Sequence, residues 1–183
     1  MDTRDAQRAL FAKIQSSSRR VEQSSGFELW ATPYGEFWVP AGSSEGLIFT
    51  LAEQARDIYQ QPGHCVEAGD VVLDCGAAFG VFTRTTLDRG AKLVVAIEPS
   101  PANVECLKRN FASEIAASRV IVYPKGLWNH VGVLRMYLHD NSVLDSFVMR
   151  ERVESPTTGA IELPVTTIDR LVSELQLSRV DFI

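Results

Sequence analysis

Cysteine is scarce in this chain: 183 residues hold three, Cys65, Cys75 and Cys106. The count is odd and no CxxC pair occurs, which argues against a disulfide scaffold or a zinc ribbon and suits a reducing compartment. Long apolar runs are missing too. The longest are pieces such as Leu93–Ile97, well short of the ~18 residues needed to span a bilayer. The opening residues, Met1-Asp2-Thr3-Arg4-Asp5, mix charges where a secretory leader needs a basic end and an apolar core. Basic residues are outnumbered, 18 Lys and Arg against 23 Asp and Glu, for a net charge of -5. General nucleic-acid binding, which rests on Lys and Arg, is therefore not expected. Residues 1–26 carry a small positive surplus, read as a solvated helix face. These absences lead us to expect a cytoplasmic protein with neither membrane nor nucleic acid as a partner.

What is present is ordinary for a globular chain: 45% hydrophobic and 22% charged residues. The length suits one domain, or one domain with an N-terminal extension. Residues 2–15 have helical apolar spacing, and the Ser-rich stretch from Ser16 to Gly26 reads as a linker. Residues 1–26 are accordingly set apart as a helical extension and 27–183 as the main domain. Aromatic residues around Pro33-Tyr34-Gly35 predict a β-hairpin, Phe27–Ala31 against Glu36–Val39. Leu47, Ile48, Leu51, Ala55 and Ile58 form one face of a helix expected to run to Gln60.

Three short apolar runs follow: Val71–Leu73, Leu93–Ile97 and Val120–Tyr123. They read as strands buried on both faces of a parallel sheet. A helix from about Phe79 to Arg89 separates the first two, and a helix capped by Ser100 with Pro101 at its first position separates the others. The pattern is that of a doubly wound α/β half-sheet. Beyond it, Val131–Leu138 and Ala160–Val165 read as antiparallel strands with a turn at residues 155–159. Thr166 and Asp169 have the spacing of a capping box on a last helix, and Val180–Ile183 begins another strand.

The chemistry concentrates at Asp74-Cys75-Gly76-Ala77-Ala78-Phe79-Gly80, on the turn leaving the first buried strand. Ligands of open α/β sheets bind outside the carboxyl ends of the strands. A dinucleotide site wants G-x-G-x-x-G, so that pyrophosphate rests on backbone amides. Here the spacing is G-x-x-x-G, with an acid two residues before the first glycine. That carboxylate would repel pyrophosphate but suits the ammonium of S-adenosylmethionine. Glu98, at the end of the second strand, is placed to accept both ribose hydroxyls of an adenosine. An NAD(P) oxidoreductase is the rival nucleotide reading, disfavoured by the glycine spacing. A purely structural reading also stands: Gly76 and Gly80 shape a tight turn and Asp74 caps a helix. Cys75 is expected as a small buried hydrophobe, the three histidines are bland, and Trp128 lies close enough to the third strand to line an adenine pocket.

Gly69–Ala77, Ala96–Asn103, Leu107–Asn110, Gly126–Asn129, Thr166–Leu171 and Val180–Ile183, in that order, together resemble the FkbM family of S-adenosylmethionine-dependent methyltransferases. The resemblance implies an α/β class I methyltransferase (Rossmann-like) doubly wound sheet, here preceded by the N-terminal helix and hairpin. It implies transfer of a methyl group to oxygen, typically a hydroxyl of a sugar, polyketide or related small molecule. By position, Asp74, Gly76 and Gly80 would hold the methionine part and Glu98 the ribose. Gly126 and Leu127 would form the adenine rim, and Ala77 and Pro99 complete the expected cofactor-binding set. In the family the Val-Asp-Phe-Ile strand continues into a Lys-x-Asp-x-Glu-Gly segment. The expectation is therefore a fold incomplete at its C-terminus, with no catalytic residue and no metal ligand assigned. A non-catalytic cofactor-binding module is the alternative.

Overall fold

The computed structural model describes residues 3–61, 63–147 and 157–183. The aromatic stretch folds as expected: Phe27–Thr32 (β2) and Gly35–Pro40 (β3) pair antiparallel, from Phe27 opposite Pro40 to Thr32 opposite Gly35. Thr32 holds the turn, its hydroxyl donating to the Gly35 carbonyl at 2.7 Å and accepting from the Tyr34 N–H at 3.1 Å.

The Ser-flanked stretch before the hairpin is not a linker. Arg19–Ser24 is a strand, β1, antiparallel to β2, and the boundary drawn at Gly26 falls in the turn between them. Its six residues are all exposed, so backbone pairing holds it as an edge strand without the apolar alternation that marks half-buried strands. Thr3–Ser16 (α1) precedes it and Ser44–Gln54 (α2) follows the hairpin. The second helix stops short of Gln60 because the chain turns at once, with Asp57 at a left-handed φ of 52°.

Val71–Cys75 (β4), Leu93–Ile97 (β5) and Val120–Tyr123 (β6) form a parallel sheet in that order. Val81–Asp88 (α3) connects the first pair, and Pro101–Asn110 (α4) with Ala112–Ala116 (α5) the second. Period-two alternation sends Val72, Val94, Ala96 and Val120 to one face, against Leu107 and Phe111. Leu73, Val95 and Ile97 go to the other, against Leu171 of Ile168–Glu174 (α6). Both faces are covered, which is why these strands read as continuous apolar runs. On the far edge of β4, Phe182 pairs in parallel with Val72, and the Phe182 carbonyl accepts the Leu73 N–H at 2.9 Å. β4 therefore lies between β5 and the last residues of the chain, and the strand order reverses there.

The N-terminal elements are docked on this layer. Ile14, Phe37, Val39, Leu47 and Leu51 share one core with Phe79, Val81 and Cys106. Asn110 bridges the two parts with three hydrogen bonds: its side chain accepts the Trp38 N–H at 2.7 Å and donates to the carbonyls of Trp38 and Phe79 at 3.0 and 2.9 Å. The Arg84 guanidinium lies 4.5 Å from the Phe37 ring centroid, and that of Arg109 4.4 Å from Phe27, contacts of about 0.5–2 kcal/mol each.

A second small sheet carries Gly126–Leu127 (β7), Gly132–His139 (β8) and Thr157–Thr166 (β9), in the order β7-β9-β8. β8 and β9 are antiparallel as expected, whereas the β7 pairing was not anticipated. Thr157 to Gly159, expected in a turn, already belong to β9; Ser155 and Pro156 lie outside the described residues. The cap of α6 also differs from expectation. Thr166 is held in β9 opposite Leu127, so Thr167 is the N-cap and its hydroxyl accepts the Arg170 N–H at 3.1 Å. Asp169 is exposed. Among the described residues no helix is long and apolar enough to cross a membrane.

Candidate functional site

The turn from β4 into α3 is built for close approach. Gly76 has φ +83°, and a Cβ built there meets nothing within 4 Å. The N–H groups of Gly76 and Ala77 both donate to the Ile97 carbonyl at 3.0 Å, tying the turn to the end of β5. Ala78 sits at a left-handed φ of 48°, a conformation costing an L-residue about 1–2 kcal/mol. Its N–H donates to Glu98 Oε2 at 2.9 Å.

Glu98 holds the turn to the next helix. Its Oε1 accepts the Ser100 N–H at 2.8 Å, and the Asn103 side chain is a further donor. Only 6% of Glu98 is exposed. Burial pushes its carboxyl up to about 7; the donors from Ser100, Ala78 and Asn103 oppose that shift and the charge of Asp145 adds to it. Ser100 sits at the N-cap of α4, but its hydroxyl does not cap the helix as expected. It donates instead to Asp145 Oδ2 at 3.2 Å, while Asp145 Oδ1 accepts the His139 N–H at 2.9 Å. Asp145 thereby pins the loop after β8 across the end of β5.

Asp74, at the end of β4, is also 6% exposed. It accepts the Thr83 hydroxyl at 2.5 Å, and burial pushes its carboxyl up to about 6 despite that bond. Cys75 departs from expectation: it is exposed, because the last residue of the strand has no covering layer. Desolvation by neighbouring groups, followed by the Asp74 charge, pushes its thiol up to about 11, so it is not a thiolate at neutral pH.

Two clefts meet at this turn. The first, about 350 Å³, is lined by Gly76, Glu98, Pro99, Gly126 and Leu127 among the expected residues, with Trp128, Asp145 and Phe147. The second, about 300 Å³, is lined by Asp74, Gly76 and Ala77, with Glu53, Tyr59 and Phe182. Cys75, Gly76, Ala78 and Val143 border both. The one expected residue on neither is Gly80, at φ +93°, whose hydrogen faces the rings and methyls of Phe111 and Leu107. It is a packing position. Asp145, Phe147, Glu53 and Tyr59 were not anticipated. The one sequence signal for the loop after β8 was Asn141, whose side chain accepts the Val143 N–H as an Asx turn does.

The two buried carboxyls carry a testable consequence for the ligand-free protein. Each has a folded-state pKa above its unfolded value, so the folded state holds more protons between about pH 4 and 7. Stability must then fall as pH rises through that window, by on the order of 3 kcal/mol per carboxyl if the whole shift is expressed. The thermal midpoint, followed by circular dichroism, is expected to fall between pH 5 and 8, and Asp74→Asn to flatten the fall near pH 6. A midpoint that rises over this range would contradict the assignment.

The model of the FkbM methyltransferase domain matches residues 74–183, more than half of the chain. The chain belongs to the FkbM methyltransferase family. No curated protein matches it. Among solved structures it is similar to the FkbM methyltransferase of Methylobacillus flagellatus KT at 15% identity, covering 91% of this chain and 37% of that one, with a TM-score of 0.34. It is also similar to a Pyrococcus horikoshii protein described as a candidate RNA methyltransferase, at 22% identity over 67% of this chain and 51% of that one, TM-score 0.34. The chain thus spans about half or less of these structures. The FkbM match opens at Asp74 and takes in the glycine turn, Glu98 and the loop after β8, while α2 with Glu53 lies outside it.

Proposed function

We propose that this FkbM-family chain binds S-adenosylmethionine on a class I, Rossmann-like sheet and directs its methyl group to a hydroxyl oxygen of a sugar, polyketide or similar small molecule. The observation that carries the reading is the Glu98 carboxylate, clamped at the end of β5 beside the open turn at Gly76. The residues present fit the cofactor. Its ribose diol needs an acceptor held in one orientation, which Glu98 provides, its carboxylate fixed by the Ala78, Ser100 and Asn103 donors with acceptor capacity to spare. Its adenine needs an apolar slot, supported by Ile97, Leu127, Trp128 and Phe147 around the first cleft. Its ammonium and sulfonium groups favour negative potential, which Asp74 supplies under the turn. The clefts have the size of small-molecule sites, about 300–1,000 Å³. When bound, the cofactor supplies a methyl group on a positively charged sulfur.

The chain's own part is to hold and to screen. Gly76 offers backbone without a side chain in the way, and Glu98 fixes both the turn and the start of α4. Gly126 lets Phe147 close over the first cleft, since a Cβ there would overlap the ring, 2.6 Å from Cζ. The loop pinned by Asp145 forms one wall of this cleft. The net charge of -5 and three free cysteines support a small-molecule acceptor and a cytoplasmic setting.

Calorimetric titration with S-adenosylhomocysteine tests the reading. Saturable one-to-one binding, unaffected by NADH, is expected and would be followed by radiolabelled methyl transfer to a panel of sugars and polyketides. Absence of any binding would overturn it. Binding is also expected to weaken from pH 7.5 to pH 5.5, because the ligand's ammonium group and ribose hydroxyls favour ionised carboxylates and both acids protonate over that range.

A further inference from the structure

With adenosine in the first cleft and its ribose on Glu98, the rest of the cofactor has to leave past Gly76. The cleft that shares this wall is the second one, bordered on its far side by Glu53, Thr50 and Phe49 of α2. The side chains around it that can ionise are Glu53, Tyr59, Asp74 and Cys75, and no basic residue lines it among the described residues. Its ionisable lining therefore carries no positive charge.

Of its two carboxylates, the one named by sequence is the less available. Asp74 is 6% exposed and engaged by Thr83. Glu53 is half-buried and lines the cleft, and its carboxylate has no hydrogen-bond or ion-pair partner among the described residues. We propose that Glu53, contributed by α2, takes the ammonium group at the amino-acid end of the cofactor, while Asp74 acts from below through its charge. The inference rests on the S-adenosylmethionine reading above and deepens it, bringing into the site an element outside the stretch that matches the family.

Two further observations support the placement. Tyr59, which lines the same cleft, is raised first by partial burial and then by the charges of Glu53 and Asp74, so its phenol lies in the field of both acids. Glu53 is itself raised by desolvation, against the opposing effect of exposed Arg56. A solvated glutamate on the outer face of a helix would show neither. Charge-assisted hydrogen bonds from an ammonium are stronger than neutral ones, so loss of this one has a measurable effect on affinity.

The probes are S-adenosylhomocysteine, which has the amino-acid end, and 5′-methylthioadenosine, which has the same adenosine without it. Both are titrated into wild type, Glu53→Gln and Glu45→Gln, the last removing the same charge from an exposed site in the first turn of α2. Glu53→Gln is expected to weaken S-adenosylhomocysteine about tenfold or more and to leave 5′-methylthioadenosine within twofold. Glu45→Gln is expected to change neither. An unaltered affinity of Glu53→Gln for S-adenosylhomocysteine would overturn the inference, as would equal weakening of both ligands. If wild type binds neither nucleoside, the cofactor reading itself falls. If wild type binds and only the Glu53 result fails, that reading stands and this inference does not.

Discussion

Gly80→Ala is expected to lower the melting temperature by about 10 °C. Two costs add at this position. The backbone is left-handed at φ +93°, which costs an L-residue about 1–2 kcal/mol. The new Cβ would also stand 2.8 Å from Phe111 Cζ and 2.9 Å from Leu107 Cδ2. These neighbours are 1% and 0% exposed, so neither can swing into solvent, and overpacking of such a site costs about 1–3 kcal/mol. The sum, about 2–5 kcal/mol, is a large share of a typical 5–15 kcal/mol stability. At about 2–4 °C per kcal/mol for a chain of this size, it gives the expected shift. Gly76→Ala bears only the backbone cost, because nothing lies within 4 Å of its Cβ, and should lose about a third as much. Its methyl group points into open space at the meeting of the clefts, so its main effect is expected on ligand affinity. Scanning calorimetry of the two variants with Gly159→Ala as a control separates the cases. A Gly80→Ala midpoint within 3 °C of wild type would contradict the packing argument.

The difference between these two glycines is not written in the local sequence. Both glycines were visible and their spacing was informative, but nothing local told a turn residue facing an open cleft from one facing Phe111, more than thirty positions away. β5 was legible to the residue, since five consecutive apolar positions have one explanation in a sheet covered on both faces. β1 was not, because an edge strand with all six residues exposed carries no periodic signal. The cap of α6 was misplaced by one residue, since Thr166 and Thr167 are equivalent until the pairing of Thr166 with Leu127 holds the first in the sheet. The Asp145 loop depends on partners far along the chain. Ser100 meets Asp145, and the Ser142 N–H and hydroxyl meet the Ser43 hydroxyl at 3.1 Å. The acids on the first two strand ends, which line the two clefts, were legible because each closes an apolar run beside or after the glycine turn. Glu53 was not, because its helix was recognised but the cleft it borders exists only once that helix is docked.

Glu98→Ala is expected to weaken S-adenosylhomocysteine binding at least about 100-fold, close to 3 kcal/mol. The residue serves both protein and proposed ligand. Removing the carboxylate leaves the Ala78 and Ser100 N–H groups without their acceptors, each a charge-assisted bond of about 1.5–3 kcal/mol. It also releases Ala78 from the left-handed conformation that shapes the turn. Glu98→Gln is expected to fall between wild type and Glu98→Ala: its amide keeps one acceptor oxygen but turns an NH₂ toward the second N–H. Weakening alone would not distinguish a ribose contact from a loosened turn. The distinguishing measurement is preference for 5′-methylthioadenosine over its 2′-deoxy counterpart, titrated in parallel. Wild type is expected to prefer the ribonucleoside by about tenfold or more, and Glu98→Gln to lose most of that preference. If Glu98 only braced the turn, both nucleosides would weaken together and the preference would survive. A carboxylate that burial pushes up to about 7 adds a second signature. The wild-type preference should grow as pH rises from 6 to 8, since the ionised form is the stronger acceptor for a ribose hydroxyl, and the glutamine variant should show no such dependence.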